Sequence, residues 1–176
     1  MLYGDFTNEM IIEASKRGKV AVDVQALLRH VNLEDHTMFF EDWKEKKEVL
    51  PYIEYLKTDA AEAEILTGLT DRYEAAKLLH TWGAKEVVIT HNTEVIAYDG
   101  KEFCSCPIRA RNLSGRTGRG DTTFAAYMTE RLHHSMKDSL LYATATVSNK
   151  MEIPGPYKGT RADVDKYIEE FYSDIK

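Results

Sequence analysis

"SGRTGRGDTTFAAYM", residues 114–128, places three glycines and two arginines within six residues, then an aspartate, then an apolar helical pattern. The first N–H groups of a helix have no partner inside it and carry the positive end of its dipole. A glycine-rich run that lets backbone come close therefore makes an anion site. The amides from Gly118 through Arg119 and Gly120 to Asp121 form the expected anion hole, at the head of a helix carrying Phe124, Met128 and Leu132. A carboxylate there repels a resident phosphate unless it acts on a substrate hydroxyl. An anion hole beside a base is what phosphoryl transfer to an alcohol needs: the hole stabilises charge on the moving group and Asp121 accepts the proton. The plainer alternative makes the glycines a tight turn and Asp121 an N-terminal cap.

The 176-residue chain is 43% hydrophobic and 30% charged, which suits a single domain over residues 1–176. A net charge of −6 argues against nucleic acid and anionic membrane as partners and for small molecules or proteins. No run of 18 apolar residues occurs, and "MLYGDFTNEM" lacks the order of a signal peptide, so a cytoplasmic protein is expected. Cys104 and Cys106 read as reduced thiols, neither a disulfide nor a four-ligand metal site.

Helical and β-branched stretches alternate, which predicts an α/β fold of the Rossmann-like three-layer αβα kind with a mainly parallel sheet. "NEMIIEASKRG" puts Met10, Ile11 and Ala14 on one helical stripe, and "KVAVDV" brings Asp23 to a strand's carboxyl end, with Gln25 and Arg29 just after it. Residues 30–51 show no clean period and read as a loop with a helical portion. "YIEYLKT" reads as a strand, "DAAEAEILTG" and "DRYEAAKLLHTWG" as helices closed by Gly68 and Gly83, and "KEVVIT" as a strand buried on both faces. "EVIAYDGKEFCSCPI" predicts a hairpin turning at Asp99-Gly100. Helices are expected over 122–133, 137–150 and 161–172, the last capped by Thr160 with Asp163. Trp43 and Trp82 read as packing groups, and a metal site at His133-His134 is disfavoured.

Thr117-Gly118-Arg119-Gly120-Asp121 with the following Thr122-Thr123-Phe124 resembles the C-terminal signature of the ribokinase-like (PfkB) carbohydrate kinases, commonly written T-G-A-G-D-x-F. "LKTDAAEAEILTG" is similar to that family's N-x-x-E strand and helix, with Asp59 on the asparagine and Glu62 on the glutamate position. "VVITHNTEVIAYDG" resembles its T-x-G strand end, with Thr90 on the threonine, and "ATATVSNKMEIPGP" its late helix and nucleotide-pocket loop. The resemblance implies a ribokinase-like fold and ATP-dependent phosphorylation of a sugar or polyol. It further implies Mg²⁺ near Asp59 and Glu62, a nucleotide beside Thr90, Asn92 and Gly155, and Asp121 as base. Tyr157 and Lys158, in the Pro- and Gly-bounded loop "PGPYKG", either flank the nucleotide or form a plain connecting turn.

The departures matter too. Arg119 replaces a small residue, Asn92 replaces a glycine, and Gly115 stands where many members carry an aspartate associated with a monovalent cation, so the resemblance leaves potassium activation open. Asp59 for asparagine keeps an oxygen that attracts a metal. The chain resembles the C-terminal, nucleotide-binding part of such a kinase, with the N-terminal portion and the strand lid missing. An edge strand near "KVAVDV" is then expected to lie exposed or to pair with another molecule, giving a homo-oligomer. A nucleotide-binding remnant without activity of its own is the alternative function.

Overall fold

The computed structural model describes residues 2–175. In chain order they form α1 (Asn8–Ser15), β1 (Ala21–Asp23), a single turn α2 (Gln25–Leu28), β2 (Arg29–Val31), β3 (Met38–Phe40), α3 (Lys46–Val49) with a 3₁₀ turn Leu50–Tyr52, β4 (Tyr55–Asp59), α4 (Ala60–Thr67), α5 (Arg72–Thr81), β5 (Glu86–Thr90), β6 (Glu94–Tyr98), β7 (Phe103–Pro107), α6 (Arg119–Arg131), α7 (Met136–Met151) and α8 (Arg161–Phe171). A five-stranded sheet runs β1-β4-β5-β6-β7; β1 pairs with β4 and β4 with β5 in parallel, as βα alternation demands. β1 ends the sheet, the edge position expected for "KVAVDV". The chain forms two compact units, Met1–Thr90 with Ala97–Phe103 and His91–Ile96 with Cys104–Lys176.

In the first unit the core is built on β4 and β5. All five residues of β5 are buried, including Glu86 and Thr90, because a central parallel strand is covered on both faces. Register pairs Leu56 with Val87 and Asp59 with Thr90, which brings the two carboxyl ends level. Helix α4 starts at a reciprocal cap: Asp59 accepts from the Glu62 N–H at 2.9 Å, and Glu62 Oε2 accepts from the Asp59 N–H at 2.7 Å. It stops at left-handed Gly68, as the sequence predicts. Trp43 is buried, its indole N–H donating to Asn8 Oδ1 at 3.0 Å, while Trp82 lies under Lys46 and Lys47; both tryptophans pack.

Three expectations are corrected here. The 30–51 segment contains a β-hairpin, β2 paired antiparallel with β3, besides its helical portion. Three residues per strand are too few to show alternation, and both faces of Met38–Phe40 are exposed, so no period-two signal exists. The stripe on α1 is narrower than its period suggests: only Ile11 is buried, and Met10 is 57% exposed. That helix also ends at Ser15, three residues before Gly18.

In the second unit α6 packs on α7 and α7 on α8. Helix α7 is buried on most of its surface, which fits a sequence of Leu, Ala, Thr, Ser and Val with few charges. The Tyr172 hydroxyl holds the unit's strand to its last helix, accepting from Arg109 N–H at 3.0 Å, donating to Pro107 O at 2.9 Å, and sitting 2.8 Å from Ser148 Oγ. Both cysteines are free thiols, and burial pushes the Cys106 thiol up to about 11. Thr160 and Asp163 close α8 with the expected capping box.

Gly83, between α5 and β5, has φ of +123°, and a Cβ there would sit 2.6–2.8 Å from Pro51, two of those three contacts being backbone. Gly83→Ala is expected to lower unfolding stability by about 1–3 kcal/mol, the scale of a backbone forced into a sparsely populated region. Gly18→Ala, with open space around it, is the control and should be neutral or slightly stabilising. Urea denaturation of both variants measures the difference.

Candidate functional site

In the second unit the glycine-rich loop ends in Gly118, which caps α6 with a left-handed backbone (φ +79°) and offers no side chain to it. The helix therefore begins at Arg119, three residues before the start its apolar pattern predicts. Asp121 lies within the first turn and is not the cap. Its carboxylate is exposed, and no side-chain hydrogen bond or ion pair holds it among the described residues, so it is available to a ligand. It opens on a cavity of about 500 Å³ also lined by Thr122, Ala125, Tyr142, Tyr157 and Arg161. There the Arg161 guanidinium lies 4.6 Å from the Tyr142 ring centre and pairs with buried Glu130.

The Arg119 N–H donates to Arg116 O at 3.2 Å, closing a turn, so the helix-start amides left for an anion are those of Gly120 and Asp121, next to Gly118. The Arg119 side chain donates to Asn92 Oδ1 at 2.6 Å and Arg116 donates to the same oxygen at 3.2 Å. Asn92 thus gathers two guanidiniums beside the loop. Gly155 adopts φ of +91° in the loop after α7. Its neighbours Pro154, Pro156, Tyr157 and Lys158 line a cavity of about 380 Å³ with Asn149 and Lys150. Burial holds the Tyr157 hydroxyl above the ordinary tyrosine range.

Lys150 is the residue that motif reading misses. It is 2% exposed, and its ammonium donates to the carbonyl oxygens of Gly115 and Thr117, clasping the loop from below. The Gly115 N–H in turn donates to Met151 O at 2.7 Å and Ser114 Oγ to Glu152 O at 2.7 Å. The loop is docked on the end of α7 by backbone and lysine together. The available signal was a lysine inside an otherwise uncharged helical run, which a favourable helix-end charge explains equally well.

In the first unit Asp59, Glu62 and Thr90 gather at the carboxyl ends of β4 and β5, where parallel sheets bind ligands. Thr90 is 1% exposed, so its side chain is covered. Asp23, from β1, pairs with the Lys57 ammonium at 2.9 Å, and that ammonium lies 3.9 Å from Glu62 Oε2. Lys57 is 4% exposed, a charge inside an apolar strand run that carries no motif of its own. Burial pushes the Glu62 carboxyl above its ordinary range; Lys57 pulls it back, and Asp59 raises it further.

No cluster of three metal-ligating side chains occurs among the described residues. The donors nonetheless fit Mg²⁺, a hard cation that takes one or two carboxylates and completes its shell with waters and phosphate oxygens. Glu62 Oε2 is used by the cap, whereas Oε1 is buried without a hydrogen-bond partner. An orphaned buried carboxylate oxygen is costly unless something cationic or hydrogen-bonding meets it.

The same burial predicts a pH-dependent variant. A carboxyl whose folded pKa is raised loses stability as pH rises from its unfolded value through its folded one, because the folded state then binds more protons than the unfolded state. Glu62→Gln keeps an oxygen for the Asp59 N–H and removes the charge. Its melting temperature should equal or exceed the parent's near neutral pH, and the difference should shrink as pH falls toward about 4.3, the ordinary value for Glu, and be absent below it. Scanning fluorimetry across that range checks the sign.

Comparison with known proteins identifies the family. Residues 17–160 match the pfkB family of carbohydrate kinases. A solved pyrophosphate-dependent kinase of the ribokinase family, complexed with a pyrophosphate analogue and myo-inositol, is 33% identical, with a TM-score of 0.86 over 94% of this chain and 60% of that one. Arabidopsis thaliana ribokinase, complexed with ribose and ATP, shares the fold at 21% identity, with a TM-score of 0.77 over 96% of this chain and 55% of that one. A curated cytidine kinase of Thermococcus kodakarensis is 36% identical over 85 residues, 47% of this chain and 31% of that protein. The chain thus spans about 60% or less of the length of these relatives. With the signature loop, the sheet and the family match in agreement, the chain belongs to the pfkB family of carbohydrate kinases and has a ribokinase-like fold of partial length.

Proposed function

We propose that this chain carries the phosphate-donor part of a kinase that phosphorylates a hydroxyl of a sugar or related polyol. The observation behind the reading is the start of α6: unpaired amides follow a docked glycine loop, and an exposed, unpartnered Asp121 carboxylate stands in the same turn. The amides of Gly118, Gly120 and Asp121 stabilise charge on the transferring phosphoryl group. Asp121 accepts the hydroxyl proton. In the first unit Asp59 and Glu62 would hold Mg²⁺, which would supply positive charge for phosphate oxygens. In the second unit Asn92 and the loop around Gly155 border the donor.

ATP is the donor this reading takes first, with the cavity beside Tyr157 and Lys158 for its base. Pyrophosphate is the second reading, favoured by Arg116 and Arg119 converging on Asn92: two planar guanidiniums beside the loop suit a short polyphosphate and ask nothing of a base pocket. The structural relative that takes pyrophosphate supports keeping it. Titration calorimetry of the chain with Mg²⁺–ATP and with Mg²⁺–pyrophosphate separates the two. Heat from neither at millimolar donor would remove the donor-binding reading altogether.

The catalytic claim is tested in the longest natural form that phosphorylates its acceptor. Asp121→Asn should lower kcat by about 10²–10⁴-fold, the usual worth of positioned proton transfer, while donor affinity stays equal or rises. The fold should survive, because Gly118 and not Asp121 caps α6. Near-parental turnover would mean that the base lies elsewhere.

A further inference from the structure

We propose that Lys150 is a tethered monovalent cation: its buried ammonium fixes the glycine-rich loop and gives the phosphate site a permanent positive charge, so donor binding needs no dissolved monovalent ion. This rests on the donor-binding reading for its function and on the loop geometry for its structure.

Lysine is almost never fully buried unless paired, yet no carboxylate among the described residues pairs with Lys150. Its partners are two backbone carbonyls, Gly115 O and Thr117 O, two residues apart in one loop. Carbonyl dipoles that converge on one point repel each other unless a cation lies between them, the arrangement by which backbone oxygens replace an ion's water shell. Here the cation is covalently part of the chain. A helix-end charge would gain as much from the α7 dipole while staying in water, so the dipole does not account for the burial.

The loop is also held at close quarters to the end of α7, where the Gly115 N–H donates to Met151 O. A Cβ on Gly115 would come 2.0 Å from Ile153 O and 3.0 Å from Lys150 O, so the loop lies against carbonyls at and just beyond the end of α7, an electronegative surface. The ammonium offsets that surface on one side. On the other it lies beneath the start of α6: a Cβ on Gly118 would be 4.0 Å from Lys150 Nζ. One buried charge thus serves the C-terminal end of α7 and the anion-binding end of α6. Buried within the protein, it is screened by salt far less than a surface lysine.

The experiment compares the parent chain with Lys150→Ala and Lys150→Met in potassium, ammonium and tetramethylammonium chloride at equal ionic strength. Affinity for Mg²⁺–ATP and Mg²⁺–pyrophosphate is read by calorimetry and the melting temperature by fluorimetry. The parent should behave alike in all three salts. Lys150→Ala should bind donor about tenfold more weakly in tetramethylammonium, on the scale of a lost charge-assisted contact, and recover in ammonium or potassium, which can enter the vacated cradle. Lys150→Met, which fills the space without charge, should not recover. A parent several-fold tighter in potassium, an Ala variant with the same loss in every salt, or variants that bind like the parent would each overturn the proposal. If the parent binds neither donor, it is the donor reading that fails, and the melting temperature still decides the lysine: a rise of the Ala variant specific to ammonium or potassium supports it, and one equal in all salts refutes it. If the Ala variant folds only with ammonium or potassium the proposal stands, and if it folds in none it falls.

Discussion

Position 115 has no room for a side chain, and the second unit is organised around that fact. Because Gly115 lies against the final carbonyls of α7, the loop it begins is pinned to a long, well-buried helix and does not wander at the surface. The pinning sets where Gly118 turns left-handed, hence where α6 begins, hence which amides remain open. A loop held only by its glycines would have to be ordered by the ligand at the ligand's expense. Docked in advance, it presents its amides already oriented, the condition under which electrostatic stabilisation works best.

The first unit meets the opposite difficulty. Asp23, Asp59 and Glu62 bring three carboxylates to the carboxyl ends of β1 and β4, and Lys57 is the cation placed among them. Its bond goes to Asp23, its field reaches Glu62, and Asp59 and Glu62 are tied to each other through the cap of α4. The cap restrains both carboxylates through a single turn of helix. It also leaves a single oxygen, Glu62 Oε1, with nothing to do in the folded chain itself.

How much of this was legible in the sequence follows from the range of each interaction. Glycines before an apolar helix, the Asp59–Glu62 spacing, the Gly68 stop and the Asp99-Gly100 turn are local, and local chemistry is written in adjacent residues. The start of α6 was misplaced because backbone geometry at Gly118, not a capping side chain, sets it. Lys57 and Lys150 were passed over for a different reason: each is a charge buried by partners that lie up to 35 residues away, and nothing beside it in sequence announces that burial. The β2–β3 hairpin escaped because its strands are short and its residues exposed.

That hairpin has a consequence for how the chain assembles. A two-stranded ribbon is marginal in water by itself, and this one exposes Met38, Phe39 and Phe40 instead of burying a face. What steadies it comes from far along the chain: Tyr3 stacks on His30 at 4.1 Å, His30 stacks on Phe39 at 5.4 Å, and the Tyr3 N–H donates to Arg29 O at 2.7 Å. Residues near position 3 thus add a three-ring pile to the ribbon as a long-range clasp. The ribbon's turn closes quickly, whereas the clasp pays the entropy of a longer loop.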